Sequence, residues 1–188
     1  KYTTLVMECL ILAGLSMQLQ GNSHPASGAE HHLSHFWEMH VINKPTDALH
    51  GEQVGVAALM LTRYYHAMRD YDFMRPVNLA ATFDRSYLEP VYGDLTDGIL
   101  RENLTDGEVS SSPLAFVPDA EKAEKVRAEI DSLISPEALE RLLRLGGAPT
   151  TLSELGLPDD EEFIKRTLGF APYVRNRLTL LKVLSAKR

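Results

Sequence analysis

Six of the chain's seven histidines lie between His24 and His50, in the run Ser23-His24-Pro25-Ala26-Ser27-Gly28-Ala29-Glu30-His31-His32-Leu33-Ser34-His35 and, past a loop, in Leu49-His50-Gly51-Glu52. Imidazole is the commonest protein metal ligand and titrates near neutrality, so such a cluster offers metal binding or proton transfer. His31 and His35 stand four apart, a spacing that sets both rings over one small volume of a helix surface. His50 opens the next helical pattern after a connection short enough to fold back, so two or three rings can converge. A catalytic divalent ion commonly takes three protein ligands, imidazole and carboxylate among them, and keeps one position open. Neither Glu30, sideways from the His31 face, nor Glu52, two residues past His50, stands as an obvious carboxylate donor. The same spacing serves a merely hydrogen-bonded helix face equally well, and the pattern alone leaves both uses open. His24, His32 and His40 read as loop, flank and apolar-edge residues, and His66 has no partner in the pattern.

The elements that must hold these rings are helical. Tyr2 to about Leu19 is apolar almost all round and reads as a buried helix ended by Gln20-Gly21-Asn22 and Pro25. From Gly28 to Val41 the pattern is amphipathic: Leu33, Phe36, Trp37 and His40 form one stripe, and His31, His35 and Glu38 form a polar face opposite. Thr46 and Asp47 are candidate caps for a helix from near His50 to Met68, in which Gly51, Gly55 and Ala58 leave a side open to close approach. Asp70 to Asp106 suggests short helices and connections, and Gly107 to Pro113 a linker. Beyond it, Asp119 to Ile134 is helical, Ser135-Pro136 caps a further helix stopped by Gly146-Gly147, and Thr151–Glu154 and Asp159–Glu162 resemble capping boxes. No segment alternates long enough for a strand, so the fold class is all-α, one domain over 1–188 with sub-lobes at 1–108 and 114–188.

Composition narrows the functions. A net charge of −7 with scattered Lys and Arg argues against a nucleic-acid footprint. The single cysteine, Cys9, permits no disulfide within the chain and fits a cytoplasmic setting. The Leu5–Met17 run is interrupted by Glu8 and is shorter than the roughly twenty residues of a membrane span, so none is expected. Ser27 and Ser34 lack a Gly-x-Ser-x-Gly elbow, and no Gly-x-Gly-x-x-Gly or Walker loop occurs. Arg175 and Arg177 could hold a phosphate, with surface ion pairs as the commoner use.

Three segments carry a resemblance: Gly21 through His31 with the following His35; Leu49-His50-Gly51-Glu52-Gln53-Val54-Gly55; and Arg175-Asn176-Arg177-Leu178-Thr179-Leu180. They resemble the C-terminal helical domain of the sn-glycerol-1-phosphate dehydrogenases, in the superfamily of iron-containing alcohol dehydrogenases, glycerol dehydrogenase and dehydroquinate synthase. The resemblance implies that His31 and His50 are two of three ligands to a divalent metal, zinc first with nickel or iron as alternatives. It makes His35 the catalytic, substrate-side histidine. It places the third ligand, an aspartate, and a Rossmann-like NAD(P) domain upstream of Lys1, so that the chain reads as a fragment inactive by itself. The implied reaction is hydride transfer between NAD(P)H and a small phosphorylated ketone, dihydroxyacetone phosphate, giving sn-glycerol 1-phosphate; a homo-oligomer is left open. The alternatives are a dehydroquinate synthase or polyol dehydrogenase relative, and a non-catalytic helical binding domain. Glu30-His31-His32-Leu33-Ser34-His35 departs from the Gly-His-Thr-x-Gly-His pattern of dehydroquinate synthases.

Overall fold

A computed structural model describes residues 2–75, 77–78, 84–105, 108–109, 115–116 and 119–185. Its helices are α1 (Tyr2–Gln20), α2 (Ala29–Glu38), α3 (His50–Ala67), α4 (Arg85–Tyr92), α5 (Thr96–Asn103), α6 (Ala120–Ser132), α7 (Pro136–Leu145), α8 (Glu161–Phe170) and α9 (Leu180–Ser185). Four two-residue strands make two antiparallel pairs, Val77–Asn78 with Ala115–Phe116 and Leu104–Thr105 with Glu108–Val109. They are too short to form a layer, and the chain is all-α. Apart from the backbone of Glu108 and Val109, the Gly107–Pro113 linker lies outside the described residues.

The principal core forms where α2 crosses α3. Leu33, Phe36 and Trp37 of α2 are fully buried against Val56, Ala57 and Leu61 of α3, and the cluster extends to Leu88, Tyr92, Phe163, Tyr173 and Leu181. Two polar contacts fix its depth: the Trp37 indole Nε1 donates to Thr167 Oγ1 at 3.1 Å, and the Tyr92 hydroxyl donates to the Phe170 carbonyl at 2.6 Å. Buried aromatic N–H and O–H groups need such partners, so each ring is located by a hydrogen bond as well as by packing. A smaller cluster of Phe73, Ala123, Ile130 and Leu184 lies under α6.

Local signals set several boundaries. Asp119 accepts from the Lys122 amide, Ser135 from the Ala138 amide with Pro136 at the first helical position, and Gly147 leaves α7 at φ +74°. Thr151 and Glu154 form a reciprocal cap: Glu154 accepts from the amides of Thr150 and Thr151, and Thr151 Oγ1 accepts from the Glu154 amide. The cap of α8 is one residue later than expected, because Asp160, not Asp159, accepts from the Phe163 amide at 2.9 Å. The start of α3 also differs. Thr46 and Asp47 lie upstream of it, while Glu52 reaches back to accept from the Leu49 amide at 2.8 Å. Of the small residues on α3, Gly55 does admit a neighbour, since a Cβ there would touch Leu143 of α7 at 3.5 Å; around Gly51 there is open space.

The expectation of a buried α1 is overturned. Leu5, Leu10, Ile11, Leu12 and Leu15 are each about half exposed or more, and Leu19 is 90% exposed. Its main contact is with the one-turn 3-10 helix His24–Ala26. A helix apolar on every side needs cover on every side, and one short turn supplies it at one end only. By length and composition Thr3–Gln20 is long and apolar enough to cross a membrane, a test that core helices also pass. Cys9, carried on the helix expected to be buried, is exposed with it.

Candidate metal centre

The turn that opens α2 aims the histidines. Gly28 precedes the helix, and its amide donates to Glu30 Oε1 at 2.8 Å, so the first turn is capped from within. A Cβ on Gly28 would lie 2.7 Å from Glu30 Oε2, a contact that a glycine avoids. With the apolar stripe of α2 fixed in the core, His31 and His35 emerge together on the opposite face, and the fold of 39–49 returns His50, the first residue of α3, to the same place.

Each of the three rings offers a nitrogen within 4.8 Å of the others. Ring centroids are 6.1 Å apart for His31 and His35, and 5.2 Å apart for each of those with His50. Glu38, one turn beyond His35, braces two of them: Oε2 lies 2.9 Å from His35 Nδ1 and Oε1 lies 2.7 Å from His50 Nδ1. Both carboxylate contacts call for the N–H at Nδ1, which leaves Nε2 of each ring as the lone-pair atom. Behind His50, Ser34 Oγ stands 3.1 Å from Nδ1 and donates to Gln53 Oε1 at 3.4 Å, and Gln53 Nε2 donates to the Ala48 carbonyl. Ser34 and Gln53 are buried, so this relay is shielded while the rings it orients are half-buried or exposed.

His50 Nε2 faces His31 Nδ1 at 3.3 Å. If Glu38 keeps the His50 proton at Nδ1, this contact is a hydrogen bond donated by His31 Nδ1, and His31 would offer Nδ1 to an ion only in the tautomer that carries its proton on Nε2. Burial depresses the His31 pKa below 6.5, and the neighbouring imidazoles push the same way against the pull of Glu30. The neutral form that a metal requires is favoured. For Glu38, burial works to raise the pKa, but hydrogen bonds from His50 and His35 outweigh it and hold the carboxyl below 4.5. Converging imidazole nitrogens with a carboxylate braced behind two of the rings are donor chemistry that fits zinc or a similar divalent ion.

The remaining histidines separate from this group. His24 is exposed in the turn before α2. His40, expected on the buried stripe, lies past the end of α2, exposed at φ +55°. His32, expected on the flank, is fully buried with neither ring nitrogen hydrogen-bonded, and burial first, then Arg177, Lys182 and Arg175, pull its pKa down to about 3. His66 Nε2 meets the Ile134 carbonyl at 3.3 Å. Glu38 is the functional candidate that a search for carboxylate ligands passes over; its signal is its place on the His31 and His35 face, three residues past His35.

A polar cavity of about 370 Å³ adjoins the triangle through His35, the one member of the three in its lining, and continues along Ser27, Arg175 and Arg177. A separate, apolar hollow of similar volume between Val56, Met60, Tyr64 and Leu168 reaches none of the histidines.

The chain is 32% identical over 182 residues to a protein of Halalkalibacterium halodurans named glycerol-1-phosphate dehydrogenase [NAD(P)+], a match covering 96% of this chain and 37% of that protein. A protein of Geobacillus stearothermophilus with the same name is 30% identical over 183 residues, covering 96% and 38%. One from Halorubrum lacusprofundi is 46% identical over 63 residues, covering 34% and 17%. The chain is thus related along almost all of its length to glycerol-1-phosphate dehydrogenases, and spans a little over a third of the length of the first two relatives. No family model matches it, and no solved structure does.

Proposed function

We propose that this chain forms the metal- and substrate-binding part of an NAD(P)-dependent glycerol-1-phosphate dehydrogenase, which interconverts dihydroxyacetone phosphate and sn-glycerol 1-phosphate by hydride transfer. The observation that carries the reading is the histidine triangle braced by Glu38, in a chain whose relatives bear that activity in their names. His31 and His50 would hold the ion, zinc first among the divalent ions that imidazole and carboxylate donors suit, and an aspartate outside these residues would complete the set. When bound, the ion would supply Lewis acidity at the substrate oxygen. The nicotinamide nucleotide would be held outside these 188 residues.

His35 has the separate role of substrate-side proton carrier. It is the triangle member that lines the polar cavity, and Glu38 engages its Nδ1. Its Nε2 is the atom left to hold or move the hydroxyl proton. Glu38 keeps the two braced rings in one tautomer and orientation, and Ser34 with Gln53 holds His50 from behind.

Elemental mass spectrometry of the purified chain tests the ligand assignment. With the aspartate outside these residues, the expected result is divalent-ion uptake by the parent when the ion is supplied in excess, lost in His31→Ala and in His50→Ala and retained in His35→Ala. A parent chain that takes up no divalent ion, or a His35→Ala variant that loses it as fully as the other two, contradicts these roles.

A further inference from the structure

The polar cavity beside His35 has a composition that the metal site does not explain. It is walled by Ser23 and Ser27, which flank the turn before α2, and by the Arg175–Arg177 segment, with Glu102 also in the lining. Arg63, Arg69, Arg75, Arg85, Arg127 and Arg144 each meet a carboxylate within 4 Å, the common fate of a surface arginine. Among the described residues Arg101, Arg141, Arg166, Arg175 and Arg177 meet none, and of these only Arg175 and Arg177 share the wall of the polar cavity, where ion pairs were expected of them from the many acidic residues. Their charges also oppose one another: burial first, and then Arg175, depress the Arg177 pKa. Two adjacent guanidinium groups without a carboxylate partner, facing one cavity, favour an anion with several oxygens.

The segment that carries them is built to hold still. Arg177 donates through Nη1 to the Ser27 carbonyl and through Nη2 to Ser23 Oγ at 2.8 Å, which ties it to the turn before the histidine helix. Beneath it, Asn103 Nδ2 donates to the carbonyls of Ile99 and Tyr173, and Lys182 Nζ donates to Asn103 Oδ1 at 3.1 Å and to the Arg175 carbonyl at 3.5 Å. Asn103 and Lys182 are buried, so a polar knot fixes the backbone on which both arginines stand. A guanidinium has five donors, and Arg177 spends only part of its set on the turn.

We infer that Arg175 and Arg177, with the Ser23 hydroxyl, form the subsite for the phosphomonoester of a small phosphorylated ketone or polyol, and so set specificity for phosphorylated over plain polyols. The inference rests on the proposed function, and it assigns to particular residues the end of the substrate that the histidines do not hold. A cavity of about 370 Å³ suits a ligand of that size. His35, shared by cavity and triangle, lies where the carbon end of a ligand anchored on the arginines would reach the metal site. Glu102 adds a like charge to a dianion and sets the affinity below what two unopposed arginines would give.

Calorimetric titration of the metal-free chain with inorganic phosphate, sn-glycerol 1-phosphate and NADP+ tests this, with metal uptake measured on the same samples. Arg175→Gln, an exposed position, and Arg177→Gln are each expected to weaken both small phosphates on the order of tenfold or more. Glu102→Gln is expected to strengthen them, a gain that a folding defect cannot imitate. Phosphate binding that is absent from the parent, or unchanged in both arginine variants, overturns the inference, as does arginine-dependent binding of NADP+ tighter than that of glycerol phosphate. Metal uptake without arginine-dependent phosphate binding leaves the proposed function standing and the subsite refuted. Arginine-dependent phosphate binding without metal uptake does the reverse.

Discussion

Helices α1 and α2 are both rich in apolar residues, yet they meet opposite fates. In α2 the apolar side chains share one stripe, and Leu33, Phe36 and Trp37 disappear completely into the core. In α1 they are spread around the axis, and the described residues leave most of them in the open. The difference is directional: a stripe tells the chain which side to bury and thereby frees the other side for chemistry, whereas an all-round helix specifies no side. The histidine face of α2 follows from its buried face. Each can be tested against α1.

The largest effect should come from emptying the buried face. Trp37→Ala removes a fully buried indole and strands Thr167 Oγ1, and should cost about 3–5 kcal/mol, measured by urea unfolding. A loss below about 1 kcal/mol would mean that α2 is no better anchored than α1.

The polar face is sharpened by Glu38→Gln. The substitution keeps the shape but removes the charge that holds two imidazoles in one tautomer, so metal affinity should fall about 10- to 100-fold with little change in stability. Competition with a chromophoric chelator reads this directly, and unchanged affinity would reduce Glu38 to a surface neighbour. Because burial and the adjacent imidazoles keep His31 neutral below the ordinary range, the metal should be held above pH 6.5 and released as pH falls below it.

His32 lies between the two faces and links them to pH. Its folded-state pKa is depressed from 6.5 to about 3, so the unfolded chain takes up a proton that the folded chain refuses. Its contribution is fully present above pH 6.5 and is lost as pH falls toward 3, at about 1.4 kcal/mol per pH unit. His32→Leu removes two buried nitrogens that have no hydrogen bond, and should flatten the acid side of the stability profile with little cost at pH 7.5. Parallel profiles for parent and variant would contradict the burial of this ring.

Much of this arrangement is legible in residue order because it is local. The stripe of α2, the Asp119 and Ser135 caps and the Gly147 exit each depend on neighbours within a turn. The convergence of His31, His35 and His50 follows from a four-residue spacing and a short return. What escapes is set by contacts distant in sequence or by role. Residue order puts Glu38 on the correct face, but nothing in it says that this carboxylate braces the imidazoles of His35 and His50. His40 leaves the stripe because α2 ends at Glu38, two residues before it. His32 is buried because its ring turns toward the side of α2 facing the Arg175–Lys182 region, which spacing within α2 does not reveal. The exposure of α1 is the clearest instance, since hydrophobicity states a need for cover and not its source.

The smallest expected effect bears on that helix. Leu5→Ser, Leu12→Ser and Leu19→Ser alter side chains that the described residues leave largely in solvent, and together they should change the unfolding free energy of this chain by no more than about 0.5 kcal/mol per site. They should also lower self-association, because α1 presents a contiguous apolar surface of the kind that drives chains together. The measurement is a thermal melt at two protein concentrations tenfold apart. If the triple variant melts with the parent at both, α1 is energetically idle in this chain and its contrast with α2 stands. If the parent melts higher at the higher concentration and the variant does not, a second copy covers α1 in solution, and the two helices differ only in where their cover comes from.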